Sequence, residues 1–85
     1  MPKPLPLPDD LLPLHAAVLQ AERAMTEARE ASGDVDAARE VYVAASLALR
    51  AHPIWEEARQ GACHAQTWQA SLDAAKDALA EPAAA

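Results

Sequence analysis

A chain of 85 residues has room for one domain and a modest core, the size range in which burial barely exceeds the entropy cost of ordering the backbone. Its formal charge is −6, and its seven basic residues are scattered, so no stripe exists to neutralise successive phosphates and nucleic acid is excluded as an expected partner. Twenty-three alanines and no phenylalanine argue against a β fold and for helices packed closely around a few large anchors.

Residues 1–8, Met-Pro-Lys-Pro-Leu-Pro-Leu-Pro, place proline at every second position, which forbids helix and predicts an extended arm. No basic residue sits where proline-reading domains need one to orient a ligand, so the arm reads as a stiff leader. The prolines and Asp9-Asp10 also interrupt any signal-peptide core.

The first helix is expected over about 10–31, with Asp9 or Asp10 as its cap and Pro13 in its first turn. Leu11, Leu14, Val18, Ala21, Met25 and Ala28 recur at steps of three and four and draw one apolar seam. Continuing that seam would bury Arg39, so the phase breaks at Ser32-Gly33-Asp34. Gly33 is expected to take the left-handed conformation and Asp34 to cap the next helix.

The second helix, about 34–51, carries Val35, Ala38, Tyr42, Ala45 and Leu49 on its seam, with Val43 and Leu47 on another side. His52-Pro53 ends it, either as a turn or as a kink. A third helix is expected over 53–80, because Ile54, Ala58, Gly61, Ala65, Trp68, Leu72, Ala75 and Leu79 follow steps of four and three without a miss. In this reading Gly61 lies under the Tyr42 ring, Cys63 faces away from the seam, and residues 82–85 form a tail. The expected fold is therefore all-α: an antiparallel three-helix bundle with short turns, comprising residues 9–81 behind the proline-rich arm. At 1.5 Å per residue the third helix reaches roughly 42 Å against roughly 33 Å for the first, so Leu72 and Leu79 should overhang the bundle.

Little in the sequence points to chemistry. Cys63 and His64 are adjacent and diverge by about 100° on a helix, and no pair of soft ligands has the i, i+4 spacing that shares an ion, so neither metal nor cofactor is expected. No nucleophile and base stand at readable positions, no glycine loop cradles phosphate, and the carboxylates fall in first turns or on solvent faces. An enzyme is not expected; the rival reading is a small enzyme or ligand-binding bundle with a pocket that spacing does not reveal. One cysteine fits a reducing, cytoplasmic setting, and no apolar run reaches the length of a membrane span.

The stretch Gly33-Asp34, Ala38, Tyr42, Ala45 and Pro53 is similar to the second helix of a tetratricopeptide repeat. It covers about twenty residues, and Glu22 and Arg29 stand where that family places large apolar or aromatic side chains. The resemblance implies protein binding. Together with composition it leads to the expectation of a non-catalytic helical interaction or self-assembly module, a small adaptor or regulatory subunit. Its partner is another protein or a second copy, with no nucleic acid and no membrane. The expected interface is Val43, Leu47, Trp55, Leu72 and Leu79.

Overall fold

The computed structural model describes residues 2–80; the tail expected at 82–85 lies outside the described residues. Every regular element among them is helical: α1 (Leu11–Glu30), α2 (Val35–Arg50), α3 (Ile54–Gln60) and α4 (His64–Ala80). Four helices replace the expected three, because residues 53–80 do not form one rod.

Two chain reversals of the same kind explain the division. At the end of α1, Gly33 N donates to Ala28 O at 2.7 Å and Ser32 N to Arg29 O at 3.4 Å, with Ser32 at φ 55°. At the end of α3, Cys63 N donates to Ala58 O at 2.8 Å and Ala62 N to Arg59 O at 3.1 Å, with Ala62 also at φ 55°. Both are helix-terminating motifs in which one left-handed residue lets the chain satisfy its last free carbonyls. The left-handed residues are Ser32 and Ala62, not the adjoining glycines, which correct the expected role of Gly33. Gly61 sits exposed at the end of α3 instead of beneath Tyr42; a side chain there would meet Cys63 Sγ and Glu57 O at 3.5 Å.

The first two helix starts differ in how they are capped. Asp34 Oδ1 accepts from Ala37 N at 3.0 Å, as its position predicts, and starts α2. Asp10 makes no side-chain cap on α1; its carboxylate instead accepts from His52 Nε2 at 2.9 Å, tying the start of α1 to the α2–α3 junction. His52 Nδ1 accepts from Ile54 N at 3.1 Å, which requires the Nε2–H tautomer and leaves Nε2 to donate. Trp55 Nε1 donates to Leu49 O at 2.7 Å and satisfies a carbonyl at the end of α2.

The break also turns α4. After Ala62 the buried face of the chain runs Cys63, Thr67, Ser71 and Ala75, a strict four-residue step of small side chains, while Trp68, Leu72 and Leu79 are half-buried beside it and Ala65 is exposed. Cys63, expected to face outward, is buried. The expected overhang disappears, because α4 begins at His64 and runs along α1.

The core joins Leu11, Val18, Leu49, Ile54 and Trp55, with Leu14, Tyr42, Ala45 and Trp68 packed on it. Full burial of each large side chain is worth about 1.5–3 kcal/mol, so this handful of anchors supplies most of the stabilisation that an alanine-rich chain can muster. The N-terminal segment contributes as well: Leu5 and Leu7 pack on the core, and Leu5 N donates to Thr67 Oγ1 at 3.1 Å. Thr67 Oγ1 in turn donates to Cys63 Sγ at 3.7 Å, so this buried hydroxyl is used in both directions.

Candidate functional site

Helix α1 packs against both α2 and α4, while those two make no substantial contact with each other. The consequence is a groove along α4: its middle stretch lies among α1, α2 and α4, one end is bounded by α2, α3 and α4, and the other by α1 and α4. Three adjoining clefts compose it. The first, about 830 Å³ and open to solvent, lies at the α3–α4 end among Arg50, Trp55, Arg59, His64 and Trp68. It shares Arg50 and Trp68 with the second, whose apolar lining includes Val18, Leu19, Tyr42 and Leu72. The second shares Leu19, Glu22 and Lys76 with the third, which ends at Leu79 and Ala80. From Ala65 to Ala80 the groove follows α4 for about 22 Å at 1.5 Å per residue.

Four rings gather at the α3–α4 end. Trp68 lies 4.8 Å from His15 and 5.0 Å from Trp55 between ring centroids, and His64 stacks on it at 12°. These rings come from α1, α3 and α4, and their tilted contacts hold the reversal at Ala62 against the rest of the fold. Beside them Arg59 is bridged to Glu56 at 2.7 Å. Arg23, Arg50 and Lys76 have no carboxylate within salt-bridge distance among the described residues.

At the middle cleft, the ring of His15 is part of the lining, and its Nδ1 stands 2.7 Å from the buried Ser71 Oγ. Sequence spacing gave no hint of this pair, 56 residues apart in the chain. Burial holds the imidazole below its ordinary pKa of 6.5, with Glu22 pulling weakly in the opposite direction. The distance suits a base and a nucleophile, yet Ser71 is 1% exposed and lines none of the clefts, so no substrate carbonyl reaches its oxygen. The pair satisfies two polar groups inside the fold, where no described side-chain nitrogen or oxygen is left without a partner.

The expected interface residues fall on two surfaces. Leu72 and Leu79 line the groove. Trp55 is 4% exposed and forms its end wall. Val43 and Leu47 stand on α2 at 48% and 64% exposure and line none of the three clefts. Arg50, Arg59 and Lys76 were passed over in sequence because their spacing shows no common face; only the packing of α2 and α3–α4 around α1 brings them to one surface. Among the described residues no three potential ligands cluster for a metal, and no helix is long and apolar enough to cross a membrane.

No protein-family model matches the chain, the tetratricopeptide repeat included, and no characterised protein or solved structure is detectably similar to it.

Proposed function

We propose that this chain is a non-catalytic protein–protein interaction module, a small adaptor or regulatory subunit, whose working surface is the groove between α2 and α4. The observation that carries the reading is that open groove: α2 and α4 flank α1 without closing over it, leaving Leu19, Tyr42, Trp68 and Leu72 half-buried around its middle cleft. A helix from a partner laid there would cover them and complete a four-helix arrangement, the helix-in-groove mode of recognition. Aromatic and arginine side chains at its α3–α4 end, Trp68 with Arg50 and Arg59, are the types that dominate binding energy at interfaces. Against the enzymatic rival, the hydroxyl of the His15–Ser71 pair is 1% exposed and lines none of the clefts, although its imidazole partner lines the middle one.

The test is site-directed photo-crosslinking of the full chain in cells that express it. A photoreactive residue at Gln69, exposed beside the groove, is expected to give a discrete protein adduct, and one at Val41, exposed at 61% on α2, is not. Adducts from Val41 alone, or none from either position, would reject the groove as the working surface.

A further inference from the structure

The groove is charged against the sign of the protein that carries it. Among the described residues it is lined by four of the chain's seven basic side chains, Arg23, Arg50, Arg59 and Lys76, whereas the thirteen acidic residues contribute only Glu22. The bases lie at both ends and the apolar side chains between them: Arg50, without a carboxylate partner among the described residues, and Arg59, bridged to Glu56, with the aromatic rings, then Leu19 and Leu72, then Arg23 and Lys76 with Leu79.

Resting on the reading of this groove as a protein-binding surface, we infer that its occupant is an acidic amphipathic helix of about four turns supplied by a different protein. The 22 Å length takes roughly fifteen helical residues. An apolar stripe on that helix would meet Val18, Leu19, Tyr42 and Leu72, and carboxylates flanking the stripe would meet the bases at either end. Complementary charge of this kind speeds encounter and sets register and partner choice. A second copy is the poorer occupant, since the exposed apolar side of its α2, at Val43 and Leu47, is flanked by Arg39 as well as by Asp36 and Glu40, and so brings a base toward the bases of the groove.

The experiment is selection of the full chain against a displayed library of sixteen-residue helical peptides. Leucines are fixed at the seam positions, and either glutamate or lysine is allowed at every flanking position. Enrichment of glutamate at flanking positions is expected, and the selected peptides should bind about tenfold more weakly to an Arg50→Glu/Lys76→Glu variant, whose altered side chains are exposed and whose helicity is checked by circular dichroism. Enrichment without charge preference that is lost in Leu72→Asp would overturn the acidic occupant and leave the groove as a protein-binding surface. Enrichment of lysine would overturn it too. Light scattering that shows a dimer dissociated by Leu72→Asp would replace the foreign helix with a second copy. No enrichment and no self-association would remove both readings.

Discussion

Ala62 is the residue on which the architecture turns, and replacing it with glycine separates one long helix from two short ones by the sign of the effect. In the structure Ala62 is exposed at φ 55° and its side chain has no core contact to lose. An alanine held in the left-handed region costs about 1–2 kcal/mol relative to its right-handed conformation, a penalty glycine lacks. Glycine's greater freedom in the unfolded chain takes back about 0.4–1 kcal/mol. Ala62→Gly should therefore stabilise the protein by roughly 0.5–1 kcal/mol, a rise in Tm of about 2–8 °C for a domain of this size. If residues 54–80 formed one helix, the same change would sit mid-helix and destabilise by about 1 kcal/mol. Thermal unfolding followed at 222 nm measures the difference. Gly61→Ala is the control: its backbone is at φ −84° and the added methyl meets Cys63 Sγ and Glu57 O at ordinary contact distance, so it should change stability little. A lowered melting temperature for Ala62→Gly, with Gly61→Ala raised by a full helix-propensity increment, would refute the break.

Two further predictions concern buried polar groups. Trp55→Phe keeps an aromatic ring in the core but leaves Leu49 O with the His52 amide as its remaining donor, and should cost about 1 kcal/mol in urea denaturation. Because burial lowers the His15 pKa below 6.5, the unfolded chain binds a proton that the folded chain resists. The stability tied to His15 is complete above about pH 6.5 and declines as pH falls below it, and His15→Gln, which retains a hydrogen-bonding group toward Ser71, should flatten urea midpoints measured across that interval.

The helical class and the reversal after α1 were legible because local signals agreed: a seam that loses phase, a glycine beside the turn, and Asp34 placed to cap α2. The second reversal was hidden by a coincidence of spacing. Ile54, Ala58, Gly61, Ala65, Trp68 and Leu72 satisfy a helical period straight through residues 61–63, and alanine, unlike glycine, gives no warning of positive φ. A competing pattern was present in Cys63, Thr67, Ser71 and Ala75, but two hydroxyls on a seam read as solvent-facing unless their partners are known. Those partners, the Leu5 amide and the His15 ring, lie 62 and 56 residues away.

A groove is harder to read than a seam, because it depends on two helices that fail to meet. The seams of α2 and α4 identify the sides turned toward α1, and nothing in either periodicity says that the flanks beyond them stay apart. The bases illustrate the point. Along the chain Arg23, Arg50, Arg59 and Lys76 look dispersed, which is why no nucleic acid was expected; across the fold they border one surface. Their gathering does not favour a nucleic acid. A polyanion needs successive cations along a solvated track, whereas here the two basic ends are separated by Leu19, Tyr42 and Leu72, and the surrounding surface belongs to a chain of net charge −6. Apolar length between terminal bases matches a ligand that is itself apolar along its middle and acidic at its edges, and an amphipathic helix combines those properties.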